Sequence, residues 1–78
     1  MRLSVISIDP KILGGTPVFK GTRVPIETLF DHLEDGISID DFLKDFPTVS
    51  KEQVVAVLEI AEKLLTAKNF RQIYEAAA

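Results

Sequence analysis

The residues able to do chemistry in this chain are few, and their spacing decides against most of it. The single histidine, His32, sits among Asp31, Glu34 and Asp35. On a helix, neighbours at i−1, i+2 and i+3 do not converge on one point, so these four do not make a metal site. Asp40, Asp41 and Asp45 form a second acidic group. Carboxylates in the first turn of a helix are explained by the positive end of its dipole and need no catalytic role. With no cysteine anywhere, there is no thiolate nucleophile, zinc–cysteine site or disulfide framework. No serine lies in a nucleophile elbow, and no nucleophile–base pair can be drawn with His32. The expectation is a non-enzyme with no catalytic residue, no cofactor and no bound metal.

A glycine-rich stretch, Gly14-Gly15-Thr16-Pro17-Val18-Phe19-Lys20-Gly21-Thr22-Arg23-Val24-Pro25, invites a phosphate-binding reading. A phosphate loop needs Gly-Lys-Ser/Thr in that order before a helix. Here the order is Lys20-Gly21-Thr22, and Pro17 removes an amide that would serve a phosphate. Turn chemistry fits better. Pro17 sends Val18-Phe19 into extended backbone, and Gly21 allows a reversal. Thr22-Arg23-Val24 then runs back beside Val18-Phe19 as a small hairpin, and Pro25 suits the first position of a helix.

The elements around this stretch follow from periodicity. Leu3 to Ile8 is rich in β-branched residues and reads as a strand ended by Asp9-Pro10. Lys11-Ile12-Leu13 reads as a short link packed on the core. Helix one is expected from Pro25 to Asp35, with Ile26, Leu29, Phe30 and Leu33 on one face and Gly36 as its stop. Helix two opens at the N-cap Ser38, carries Ile39, Phe42, Leu43 and Phe46 inward, and ends at Pro47. Ser50 with Gln53 forms a capping box for helix three. The inward stripe of that helix is Val54, Val57, Leu58, Ala61 and Leu65, with Val55 and Leu64 beside it. The helix is expected to run to about Lys68, with a break or rotated continuation near Asn69, and Ala76 to Ala78 are expected to fray.

The fold expected is mainly α: three helices with matched stripes that must bury them against one another, preceded by a short N-terminal strand or hairpin. The 78 residues form one domain with three parts, 3–24, 25–68 and a helical tail 69–78. So small a core is marginal alone. A mean hydropathy of +0.18 is high for a chain with so little interior, so a homodimer is expected, across which the N-terminal strand could pair to cover its open edge. The net charge is −3, and the acid is concentrated between Glu27 and Asp45, a region that repels phosphate and suits a basic partner or is simply a solvated surface. There is neither a signal-peptide pattern nor a membrane-length apolar run. A cytoplasmic protein with no membrane contact and no small-molecule substrate is the expectation.

Two surfaces remain as candidates. The unit helix two–turn–helix three has the layout of a DNA-binding helix-turn-helix. Its early third-helix residues Ser50, Lys51 and Gln53, with Ala56 one turn on, would face the groove, and Lys20 and Arg23 of the hairpin would add charge. Glu52 opposes such binding. The second candidate is the tail, where Phe70, Ile73 and Tyr74 at helical spacing surround Arg71. That pattern suits insertion into a partner's groove, or packing on the same domain or a dimer mate.

The run Ile8-Asp9-Pro10, Gly15-Thr16-Pro17-Val18, Gly21-Thr22-Arg23-Val24-Pro25-Ile26, Gly36 and Phe46-Pro47 resembles the small bacterial and archaeal family called domain of unknown function 433. The likeness covers about residues 4 to 65. It implies a homeodomain-like helix-turn-helix fold and an antitoxin-like role of the VapB type. In that role the chain would hold a PIN-like ribonuclease toxin, with Arg71 facing its metal-binding carboxylates, and would contribute to binding of its own promoter. A stand-alone helix-turn-helix transcriptional regulator and a structural interaction adaptor are the alternatives.

Overall fold

The computed structural model describes residues 2–78. It is mainly helical, with a two-stranded antiparallel hairpin sheet at the N-terminal end. Strand β1 (Ile6–Ser7) pairs with β2 (Val18–Phe19), placing Ile6 opposite Phe19 and Ser7 opposite Val18. Four helices follow: α1 (Ile26–Glu34), α2 (Ile39–Asp45), α3 (Lys51–Leu65) and α4 (Lys68–Ala77).

The strand expected over Leu3 to Ile8 is shorter than its composition suggests. Leu3–Val5 coils into a 3-10 turn and only Ile6–Ser7 is extended. The turn lies against α3 and brings Val5 onto the core, which a straight strand would not do. Further on, Leu13, Gly14 and Gly15 all take positive φ, at 48°, 65° and 91°. Bulky residues rarely occupy this region. Leu13 accordingly projects outward and is exposed, so of the link expected to pack inward only Ile12 is half-buried.

The hairpin behaves as its turn residues require. Gly21 turns at φ 81°, and the Phe19 amide donates to the Val24 carbonyl at 3.0 Å. The Thr22 hydroxyl donates to the Phe19 carbonyl at 2.8 Å and accepts from the Val24 amide at 3.0 Å. Val18 and Pro25 form a further antiparallel bridge. Pro25 is therefore extended (ψ 142°) and caps α1 from outside instead of occupying its first turn.

Each helix end has a physical cause. Gly36, at φ 78°, lets its own amide reach the Leu33 carbonyl at 3.0 Å and the Ile37 amide reach the His32 carbonyl at 2.9 Å, the paired bonds of a Schellman ending. The Ser38 hydroxyl accepts from the Asp41 amide at 3.1 Å and starts α2. Ser50 and Gln53 close a full capping box on α3. The last break differs from expectation: it falls at Thr66-Ala67, ahead of Asn69. The Thr66 hydroxyl donates to the Glu62 carbonyl at 2.8 Å, a bond that competes with helix continuation. Ala67 is extended, and α4 then runs on through Ala77.

The core is built from Phe19, Leu29, Phe42, Val49, Val54 and Val57, with Ile6, Ile26, Phe30, Leu33, Leu43 and Phe46 packed around it. Phe42 is central. Its ring centroid lies 6.1 Å from that of Phe19 and 5.0 Å from that of Phe46. Val49, in the α2–α3 turn, is a core residue and not merely a linker. On α3 the buried residues are Val54, Ala56, Val57 and Ile60, so the inward face is rotated from the expected stripe. Leu64 and Leu65 lie past the end of the core and are exposed.

Candidate partner and nucleic-acid surfaces

The first candidate surface is the corner where the hairpin meets the start of α3. Gln53 makes that junction. Its Oε1 accepts from the Ser50 amide at 3.0 Å, closing the capping box. Its Nε2 donates to the Lys20 carbonyl at 3.0 Å, tying the hairpin tip to α3. The Ser50 hydroxyl is likewise engaged, accepting from the Gln53 amide at 3.1 Å. Of the five residues nominated for DNA contact, Ser50 and Gln53 thus spend their polar groups on the fold. Lys20, Arg23 and Lys51 are exposed, and the Gln53 bridge brings the Lys20 segment to the N-terminal end of α3. Ala56 is buried at 1% exposure. It cannot face a groove, because it shares the inward side of α3 with Val57 and Ile60.

The acidic centre is a solvated surface on α1 and α2. Glu27, Asp31, Glu34, Asp35, Asp40, Asp41 and Asp45 are all exposed. Lys44 approaches Asp41 at 3.8 Å along the helix. His32 is half-buried at its edge. The histidine Nδ1 is 2.8 Å from the Thr28 carbonyl, which assigns the proton to that nitrogen. Nε2 then faces the Asp45 carboxylate at 3.8 Å, beyond hydrogen-bond range. The ring stands edge-on to Phe42 and Phe46, with centroids 5.3 and 5.5 Å away. His32 therefore helps close the α1–α2 interface, a role that its position in the α1 sequence, beside the inward Leu29 and Leu33, could have suggested. Among the described residues no group of three or more His, Asp or Glu is arranged to hold a metal ion, and no pocket is formed. No helix among them is long and apolar enough to cross a membrane.

The second candidate surface is α4. None of its residues is buried. Ile73 and Tyr74 are exposed, and Phe70 is half-buried. The Arg71 Nε lies 3.3 Å from Glu75 Oε1 one turn along. With exposed Leu64 and Leu65 at the end of α3, Ile73 and Tyr74 leave the tail with an apolar edge that the described chain covers only in part, at Phe70.

The fold and these two surfaces define a small helical module opened by a Gly-Thr-Arg-Val-Pro hairpin. The chain belongs to the family described as protein of unknown function (DUF433), whose model matches residues 6–61. It is also similar to the uncharacterized protein y4eO of Sinorhizobium fredii, with 36% identity over 50 residues, 64% of this chain. The matched segment spans only 23% of that relative's length. No solved structure matches. The family match ends short of α4, so the tail lies outside it.

Proposed function

We propose that the protein is an antitoxin-like binding module whose α4 holds a PIN-like ribonuclease toxin in the cytoplasm. The observation that carries this reading is the state of α4: a formed helix with an apolar edge and an exposed arginine, none of whose residues is fully buried in its own chain. Isolated helices of ten residues are marginal in water, so such a helix gains its stability on a partner. Phe70, Ile73 and Tyr74 would supply the apolar anchors. Arg71 could exchange Glu75 for a carboxylate of the toxin's metal site, through its planar fork. The resemblance of the hairpin motif to antitoxin-like proteins supports the same reading. It also supports taking α1 to α3 as a homeodomain-like unit, with α2 and α3 as its helix-turn-helix. The role is binding and not catalysis.

The test is retrieval of the tagged full chain from its host in moderate salt, followed by mass spectrometry. An equimolar small nuclease, lost when residues 67–78 are removed, supports the proposal. Recovery of the chain without a nuclease overturns it in favour of a regulator or adaptor.

A second reading, direct contact with promoter DNA, is favoured by the Gln53 bond that brings the Lys20 backbone to the start of α3 and by the exposure of Lys20, Arg23 and Lys51. In that reading these three residues contact phosphates, while Ser50 and Gln53 hold the scaffold. The acidic α1–α2 face would point away from the duplex or be neutralised by a bound partner. Gel-shift titration with promoter DNA at several salt concentrations tests it, alone and in complex; the absence of a shift in both states leaves the adaptor.

A further inference from the structure

The outer edge of β1 presents one acceptor and one donor, placed symmetrically about Ser7. The alternation of bonds along the hairpin fixes which groups these are. On its far side β2 bonds to the returning chain: the Phe19 amide donates to the Val24 carbonyl and the Ile26 amide to the Pro17 carbonyl, both at 3.0 Å. On its near side the Lys20 amide donates to the Val5 carbonyl at 2.9 Å. Ser7, opposite Val18, therefore turns both its amide and its carbonyl towards β2. A trans peptide plane carries its C=O and N–H on opposite sides, and no cis bond occurs among the described residues. The Ile6 carbonyl and the Ile8 amide consequently point away from β2. Neither has a hydrogen-bond partner among the described residues, whereas the Ile6 amide is engaged by the Leu3 carbonyl. Ile8 is also exposed to 68%. Strand alternation places its side chain on the same face as Ile6, which packs on the core.

We propose that β1 pairs antiparallel with β1 of a second copy of this chain, with Ser7 of both copies at the two-fold axis. In this register the two Ser7 residues form a non-hydrogen-bonded pair, and the Ile8 amide of each copy donates to the Ile6 carbonyl of the other. One donor and one acceptor disposed about Ser7 satisfy each other twice over, as a two-fold contact requires. The same register sets the exposed Ile8 of each copy directly opposite Ile6 of the other, on the core-facing side of the sheet. The free backbone groups and the exposed side chain thus select one register independently. The product is a four-stranded sheet of order β2-β1-β1-β2. A second copy fits this edge better than an unstructured peptide. The 3-10 turn before Ile6 and Asp9-Pro10 after Ile8 confine the ladder to this one pair of bonds. A flexible peptide would lose backbone freedom at every residue in forming them, whereas β1 of a second copy is already held extended by β2. Residues 3–8 carry no charge, so two such edges meet without repulsion. The contact is small by the standard of stable interfaces, and association is weak and reversible. The inference does not rest on the toxin reading, which concerns α4.

The experiment is sedimentation of the full chain over a concentration series, with Ile8→Lys and Ile8→Pro variants. The wild-type chain is expected to dimerise reversibly with a Kd of about 10–500 μM. Ile8→Lys sets a charge on the pairing edge, and Ile8→Pro removes the amide that crosses it. Each should weaken the dimer by about tenfold or more. The Ile8 side chain is exposed and its amide unbonded within the chain, so circular dichroism should find both variants folded. The register is read by oxidation of single-cysteine chains, since the natural chain has no cysteine. Across the seam the two residues at position 7 face each other with Cα atoms about 4.5 Å apart, within disulfide reach. Ser7→Cys should therefore crosslink to itself about tenfold faster than Ser4→Cys, although position 4 is exposed and position 7 half-buried. If an Ile8 variant fails to fold, the cysteine comparison decides alone. A monomeric wild-type chain at about 1 mM overturns the proposal. So does a dimer that neither folded Ile8 variant weakens, or one in which Ser7→Cys crosslinks no faster than Ser4→Cys. Nuclease capture by a monomeric chain overturns it while leaving the toxin reading intact.

Discussion

The side-chain amide of Gln53 donates to the backbone carbonyl of Lys20 at 3.0 Å, across 33 residues of sequence. It is a fixed joint between the hairpin and α3, made by a residue that already caps its own helix. A Gln53→Ala chain loses this bond and half of the capping box, and should be destabilised by about 1–2 kcal/mol. Gln53→Glu keeps the acceptor for the Ser50 amide but sets a carboxylate against the Lys20 carbonyl. Chemical denaturation should therefore place it below wild type. If Gln53→Ala unfolds at the wild-type midpoint, the joint contributes nothing.

Phe42 is fully buried and touches the Phe19, Phe46 and His32 rings. Truncation to alanine should cost about 3–5 kcal/mol, a large part of the stability of so small a domain. A measured loss below about 1 kcal/mol would place the centre of the core elsewhere.

His32→Ala removes the bond to Thr28 and two edge-on aromatic contacts while leaving the acidic surface in place. A loss of about 1–3 kcal/mol is expected, read by thermal melting at fixed pH. His32→Phe should recover part of it, since the aromatic contacts can be remade. Equal losses in both variants would assign the effect to the hydrogen bond.

Gly36→Ala tests the α1 ending. A Cβ at Gly36 would meet no atom within 4 Å, so the cost is conformational alone. It should be about 1 kcal/mol, with Gly36→Asn less affected because asparagine tolerates left-handed backbone. An unchanged unfolding midpoint in Gly36→Ala would mean that the left-handed ending has no cost.

Removal of residues 67–78 should lower stability by no more than about 1 kcal/mol, since α4 has no buried residue and only Ala67 and Phe70 are half-covered. The helical signal falls but the cooperative transition stays. A loss above about 3 kcal/mol would mean that the tail belongs to the core.

Much of this architecture could be read from the chain. Gly21 and Gly36 marked the turns that they make, and Ser38 and the Ser50–Gln53 pair marked the starts of α2 and α3, because these are local contacts between near neighbours. The apolar stripes of α1 and α2 likewise named Leu29 and Phe42. What was not legible depended on distant packing. The rotation of α3 that buries Ala56 and Ile60 and leaves Val55 out is set by where Phe19 and Phe42 stand. The coiling of Leu3–Val5 is set by the α3 surface beneath it. Gln53 could be read as a cap or as a reader of bases, and only the position of the Lys20 carbonyl decides how its amide is used.

The last fully buried side chain in the sequence is Ile60, so the core draws on no side chain from almost the last quarter of the chain beyond the half-buried Ala61, Ala67 and Phe70. Everything after Thr66 is relieved of the demand to preserve the domain. Selection can rewrite the charges and anchors of α4 without unfolding what precedes it. The choice of whom to bind and the ability to fold are thus held in separate stretches of one short polypeptide.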